Sequence, residues 1–169
     1  LGLPENSIGV VFQGTPDSKY IIPTRATKGS AAYDLYAPGA IDRCTAYIRG
    51  AVLQEGSGDR VSLKPGAMIR LGLGFSTIIP PGYMGVIASR SGMGSKGLVV
   101  TQGIGIIDSD YRGTWAVPLT NRSDEMWSIN TGDRVAQVFF LPTLSVNWVS
   151  DEVSDTTERG SGGFGSTGG

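Results

Sequence analysis

Short apolar runs recur along the whole chain, separated by glycine or proline: Tyr20–Ile22, Tyr47–Leu53, Met68–Phe75, Tyr83–Ala88, Leu98–Val100, Thr114–Leu119 and Arg134–Leu141. Few windows of helical length hold an i, i+3, i+4 apolar stripe without a glycine inside, so the pattern predicts strands. Regular strand–turn spacing of this kind predicts an all-β sandwich, jelly roll or barrel. Pro80-Pro81-Gly82 predicts a tight turn between two strands, and Arg90–Lys96 is the best stretch for a short helix or a wide turn. Pro118 interrupts a strand-like run. Its missing N–H places that strand at an edge, at a bulge or against an interface. Trp115, Trp127 and Trp148 read as core or subunit-contact residues.

The apolar pattern stops at Ser150. Residues 1–150 are therefore expected to form one β domain, and residues 151–169 a flexible C-terminal arm. Residues 40–60 are polar and uneven, with Glu55-Gly56-Ser57-Gly58-Asp59 resembling a hairpin or loop tip.

Composition narrows the chemistry. The chain has 169 residues, 40% of them hydrophobic, enough for one domain with a core. A net charge of −1 argues against a general nucleic-acid surface, which is normally basic. No apolar run approaches the ~18 residues of a membrane span, and the first residues show no signal-peptide pattern. Stable nucleic-acid or membrane binding is therefore not expected. Cys44 is the single cysteine, which excludes an internal disulfide, and reads as an inert, half-buried residue. Histidine is absent, which removes His-based triads and HExxH zinc sites. Catalysis must use carboxylates, backbone amides, arginine, lysine or a metal held by oxygen.

Several segments carry candidate chemistry. Asp108 follows the apolar pair Ile106-Ile107 and precedes Ser109-Asp110-Tyr111-Arg112-Gly113. A carboxylate on so rigid a base can orient a water for in-line attack on phosphorus; a turn in which Asp108 and Asp110 cap backbone amides is the alternative. Ser89-Arg90-Ser91-Gly92-Met93-Gly94-Ser95-Lys96-Gly97 concentrates hydroxyls, cations and glycines, suited to an anion or to a solvated turn, and it lacks the Walker A order. Asp34, among strand-like residues, can face a metal-bound water or be a strand-end surface aspartate. Asp133 and Arg134 suggest an ion pair between loops. Gln137 alternates with Val135 and Phe139, and on that face it needs a partner, ligand or backbone.

Phe164 stands alone among glycine and hydroxyl residues in the arm. Stacking on a base, worth about 1–3 kcal/mol, gives it a role, with Arg159, Gly165, Ser166 and Thr167 around phosphate oxygens. The alternative is a plain linker.

In order, the segments AAYDLYAP, ASRSGMGSKG, GIGIIDSDYRG, GDRVAQ and RGSGGFGSTG resemble the five motifs of the trimeric deoxyuridine triphosphatase (dUTPase) family, and they span residues 31 to 168. The resemblance implies a dUTPase-like distorted jelly roll, or β-clip barrel, assembled as a homotrimer with shared active sites. It implies hydrolysis of dUTP to dUMP and pyrophosphate, with Mg²⁺ on the triphosphate. By resemblance, Asp108 activates the attacking water and Asp34 anchors the Mg²⁺ shell through water. Arg90, Ser91 and Gln137 serve the phosphates and the water network, with Ser89 and Gly92 beside them. Tyr111 packs on the deoxyribose and excludes a 2′-hydroxyl. The backbone of Gly103 to Gly105 reads uracil, near Gln102 and Ile107. Phe164 stacks on the base, while Arg159, Gly165, Ser166 and Thr167 hold the outer phosphates.

Departures from the family pattern are Ala32 for glycine, Ser89 for proline, Met93-Gly94 for Leu-Ala and Gln102 for asparagine. Residues 40–60 form an insertion that lengthens a hairpin, enlarges the trimer contact or binds a regulatory protein partner. The competing readings are a dCTP deaminase of the same fold and a nucleotide-binding regulator without catalysis.

Overall fold

The computed structural model describes residues 6–16, 19–41, 45–53, 58–154 and 156–163. Eleven strands are found among them: β1 (Val11–Gly14), β2 (Tyr33–Tyr36), β3 (Thr45–Leu53), β4 (Arg60–Gly72), β5 (Phe75–Ile78), β6 (Tyr83–Ala88), β7 (Leu98–Val100), β8 (Ile104–Ile107), β9 (Ala116–Asn121), β10 (Trp127–Asn130) and β11 (Arg134–Pro142). One helical turn, α1 (Ser91–Gly94), lies between β6 and β7. All pairings between these strands are antiparallel.

Two sheets carry the fold. One has the order β10-β4-β9-β7, with β3 also paired to β4; the other has the order β2-β11-β6-β8. A two-stranded ribbon, β1-β5, lies beside them. The architecture is all-β and jelly-roll-like. The sheets keep open edges among the described residues and do not close into a barrel.

Period-two burial explains how one core serves both sheets. In β9, Val117, Leu119 and Asn121 are buried while Ala116, Pro118 and Thr120 are half-buried. In β4, Val61, Leu63, Ala67, Ile69 and Leu71 point inward. They join Leu35, Ile87, Ile107 and Val138 of the second sheet in a single apolar cluster. Trp115 is 1% exposed in this cluster, and its indole N–H donates to Thr77 Oγ1 at 3.1 Å, so the buried donor is satisfied.

Asn121, fully buried, makes four bonds. Its Nδ2 donates to the carbonyls of Leu63 and Glu125 at 2.9 and 2.7 Å. Its Oδ1 accepts from Ser123 N and Ser123 Oγ at 2.9 and 2.7 Å. One amide thus ties β9, β4 and the following loop together.

The Pro80-Pro81-Gly82 turn joins β5 to β6, with Tyr83 N donating to the Pro80 carbonyl at 3.2 Å and Gly82 at φ +86°. The stretch Arg90–Lys96 holds the helical turn α1. Residues 45–53 and 60–72 form an antiparallel hairpin, and most of the Glu55–Asp59 tip lies outside the described residues, as does Cys44.

Other expectations are corrected. Tyr20–Ile22 is not a strand; single bridges, Lys19 to Gly39 and Thr24 to Asp34, flank it. Strands β1, β2, β8 and β10 were absent from the apolar-run pattern because a polar residue or glycine interrupts each one, although the neighbours of Asp34 on β2 read as strand-like. Pro118 lies on β9, between β4 and β7, rather than on an edge strand. Its carbonyl accepts from Thr101 N at 2.9 Å, just past the end of β7. The missing N–H therefore faces a place where the ladder has already ended. Trp148 is 90% exposed and is no part of this chain's core.

Candidate active site

Asp34 anchors the first part of the site. It sits on β2, 8% exposed, between β11 and the loop at Thr24. It is therefore a buried acid and not a strand-end surface aspartate. Arg90 Nε donates to its Oδ1 at 2.7 Å, and Arg134 Nη1 lies 3.6 Å from its Oδ2. Arg134 thus pairs with Asp34, not with Asp133. The Asp133 carboxylate instead accepts from Asn130 N at 2.8 Å and closes the turn into β11.

A bulge in β11 sets the position of Gln137. The register against β2 shifts between Arg134 and Ala136, so Val135 and Ala136 are both buried. Gln137 then falls opposite Asp34 and Ala88. Its Nε2 donates to the Ser89 carbonyl at 3.0 Å, the backbone partner that its place on that face required. Val135, by contrast, goes to the core, so only Phe139 shares the open face with Gln137.

These groups border a cleft of about 490 Å³ with Ser30, Ala31, Ala32, Asp34, Arg90, Ser91, Gln137 and Phe139 on its wall. Arg90 spends Nε on Asp34 and places Nη1 3.4 Å from the Arg134 carbonyl, leaving Nη2 without an acceptor among the described residues. Ser91 and Gly92 are exposed on α1. Ser89 is used internally: its Oγ accepts from Val100 N at 2.8 Å and braces the loop against β7. The cleft presents a fixed guanidinium, a hydroxyl and an amide to an anion.

The second part of the site is separate. Asp108 is exposed at the end of β8, on the turn closed by Tyr111 N donating to its carbonyl at 3.1 Å. Its carboxylate has no hydrogen-bond or ion-pair partner among the described residues. It borders a pocket of about 200 Å³ with Arg70, Ile106, Ile107, Tyr111 and Ala116. Tyr111 is pinned by its hydroxyl, which donates to the Thr114 carbonyl at 3.1 Å. Strand β8 is the edge of its sheet, so one side of the backbone from Ile104 to Ile107 has no neighbouring strand among the described residues. Gly103 enters it at φ +85°, a conformation that favours glycine, and Gln102 and Gly103 are exposed. Asp108, Tyr111 and Ile107 therefore meet; Asp34, Arg90, Ser91 and Gln137 meet elsewhere. No described residue borders both cavities.

In the arm, Arg159 is exposed and its carbonyl accepts from Gly162 N at 3.1 Å. Phe164, Gly165, Ser166 and Thr167 lie outside the described residues.

Among the described residues no three acidic or cysteine side chains cluster to hold a metal. Asp34 is the lone carboxylate on the larger cleft. One carboxylate already facing two guanidinium groups does not suit an ion ligated by protein alone. It fits a hydrated divalent cation that arrives on phosphates and is held through water.

The sequence pattern did not single out Arg134 as a partner of Asp34, or Arg70 as a neighbour of Asp108. The available signal for Arg70 was its period-two position between the apolar Ile69 and Leu71.

Comparison with known proteins places this geometry. The dUTPase family model matches residues 56–168. The chain is 37% identical over 153 residues to the deoxyuridine 5′-triphosphate nucleotidohydrolase of Gamma-proteobacterium EBAC31A08, covering 89% of this chain and 97% of the relative. It is 37% identical over 152 residues to the enzyme of that name from Salmonella typhimurium, covering 89% of each. In fold it is similar to the Staphylococcus bacteriophage 80alpha dUTPase with dUPNHPP, at TM-score 0.75 and 23% identity over 96% of this chain and 99% of that one. The dUTPase from phage phi11 of S. aureus gives TM-score 0.67 and 21% identity over 89% and 100%. Taken with the five motifs and the two-part site, these matches establish that the chain belongs to the dUTPase family.

Proposed function

We propose that the chain is a dUTP diphosphatase, hydrolysing dUTP to dUMP and pyrophosphate, with Asp108 as the group that activates water. The observation that carries this reading is the state of Asp108: exposed, unpartnered among the described residues, and fixed beside Tyr111 at the end of β8. In the proposed step, water oxygen bonds to the α-phosphorus as the bond to the α–β bridging oxygen breaks. The water proton passes to the Asp108 carboxylate and pyrophosphate departs. Arg90, through Nη2, and the Ser91 hydroxyl bind phosphate oxygens, and Gln137 holds the Ser89 carbonyl in place beside them. Tyr111 packs on the deoxyribose. The open side of β8 from Gly103 to Gly105 meets the uracil edge. Phe164 stacks on the base, and Arg159, Gly165, Ser166 and Thr167 of the arm hold the outer phosphates. When bound on the triphosphate, Mg²⁺ neutralises phosphate charge; Asp34 would hold its water shell.

The same reading makes residues 1–150 the catalytic domain, residues 151–169 a closing arm, and the active unit a homotrimer with shared sites. Two observations support assembly. The Asp108 pocket and the Arg90 cleft share no described residue, so a second chain can supply the missing half. Leu144, Trp148 and Val153 are 90%, 90% and 96% exposed, an apolar segment that a neighbouring copy would cover.

The test is pyrophosphate release from dUTP, dTTP, dCTP and UTP with Mg²⁺, with Asp108→Asn as control. Release confined to dUTP and lost in the variant is expected. No release from a folded protein, or dUTP formed from dCTP, would overturn the reading.

A further inference from the structure

Arg70 is a cation on the outer face of β4 with no partner among the described residues. In β4 the alternation buries Ile69 and Leu71 and turns Arg70 outward, where it is exposed. Its register partners are Ala46 on β3 and Pro118 on β9. Cross-strand partners share a face, and neither of these side chains can accept a hydrogen bond. The guanidinium has no hydrogen-bond or ion-pair partner among the described residues; both ion pairs found there belong to Asp34.

Arg70 nevertheless borders the same pocket as Asp108. Arg70 and Asp108, a cation and a carboxylate each without a partner among the described residues, thus line a space of about 200 Å³ whose other walls are Ile106, Ile107, Tyr111 and Ala116. The remaining walls are aliphatic or aromatic. The two poles are too far apart to form an ion pair with each other. The arginine can only donate, and an ionised aspartate can only accept. A group bridging them must accept on one side and donate on the other, which is the chemistry of a hydroxyl oxygen. A phosphate oxygen satisfies only the arginine.

We infer that Arg70 is a substrate-contacting residue that, together with Asp108, holds a hydroxyl oxygen in this pocket, either a sugar hydroxyl of the nucleotide or the attacking water. The inference rests on the nucleotide-hydrolase reading of the site and adds to it a residue from outside the five motifs.

The experiment compares the full-length wild type with Arg70→Met and Arg70→Lys, using dUTP and 2′,3′-dideoxyuridine triphosphate, which lacks the sugar hydroxyl. If the sugar hydroxyl is the bridged group, Arg70→Met raises KM for dUTP by about tenfold or more and leaves the dideoxy substrate unchanged. If water is bridged, kcat falls by about the same factor with both substrates while KM holds. Either result supports the inference. Arg70→Lys restores part of the loss, since it keeps the charge and loses the fork. Unchanged constants with both substrates overturn it. So does an equal rise in KM for both at constant kcat, which would mean long-range attraction of the triphosphate alone. Calorimetric titration with dUpNHpp, thermal unfolding and sedimentation show that each variant is folded and assembled as the wild type is. Should Arg70→Met not fold, the same comparison is read from Arg70→Lys. Wild type that neither hydrolyses dUTP nor binds dUpNHpp would instead defeat the underlying reading of the site.

Discussion

Arg90 donates Nε–H to Oδ1 of Asp34 at 2.7 Å across 56 positions of sequence, joining the loop after β6 to strand β2. The bond fixes the plane of the guanidinium. Asp34→Asn removes the charge facing both Arg90 and Arg134. The expected loss of stability is about 1–3 kcal/mol, the range for a hydrogen bond to a charged group in a partly exposed pair. Urea unfolding measures it. Affinity for dUpNHpp should fall as well, because Arg90 loses its orientation; unchanged affinity would mean that Arg90 aims itself.

Asp108 is free of protein partners in the described structure, so replacing it breaks no internal contact. Asp108→Asn should unfold at the wild-type temperature and still bind dUpNHpp, with kcat lower by about 10²–10⁴, the usual contribution of a positioned base. Near-normal turnover would remove it from the mechanism.

The Tyr111 ring is held by its hydroxyl at the Thr114 carbonyl and forms one wall of the Asp108 pocket. Tyr111→Ala should relax the preference for dUTP over UTP by about 10–100-fold, the scale of a lost steric contact. Competition between the two nucleotides reads this directly, and an unaltered ratio would show that the ribose is excluded by another group.

The separation of the two cavities gives a complementation test. Asp108→Asn and Arg90→Gln chains should each be inactive alone. After unfolding and refolding together, about one quarter of the sites in randomly mixed trimers pair an intact Asp108 with an intact Arg90 from different chains. Activity that stays at background would place both residues in a site made by one chain.

Asn121 satisfies four hydrogen bonds in the core, at the junction of β4, β9 and the loop that leads to β10. Asn121→Ala strands the buried Leu63 carbonyl. A loss of about 2–4 kcal/mol is expected, from an unsatisfied group within a network, with little change in KM for the protein that remains folded.

Much of this was legible in the sequence. The all-β class followed from short apolar runs broken by glycine and proline, since that spacing leaves no room for helices. The short α1 turn and the Pro80-Pro81-Gly82 turn were marked by residues whose backbone limits are local. The candidate carboxylates and the anion loop stood out because their residue types are costly to bury and are grouped. Strands β1, β8 and β10 were not legible, because a polar residue or glycine interrupts each short run. Nor was the Asp34–Arg90–Arg134 arrangement: Asp133 is the sequence neighbour of Arg134, but the turn into β11 commits its carboxylate to Asn130 N.

The sequence by itself determined the strand-rich class, the exclusion of histidine and disulfide chemistry, and which residues could act on a phosphate. Those properties reside in composition and local pattern. Only the tertiary structure decided which of them meet. The β11 bulge sets Gln137 opposite Asp34, the turn after edge strand β8 leaves Asp108 without a partner among the described residues, and strand β4 brings Arg70 to the pocket of Asp108. Each of these depends on register between strands distant in sequence, and register is settled by the packing of the whole core rather than by any one segment.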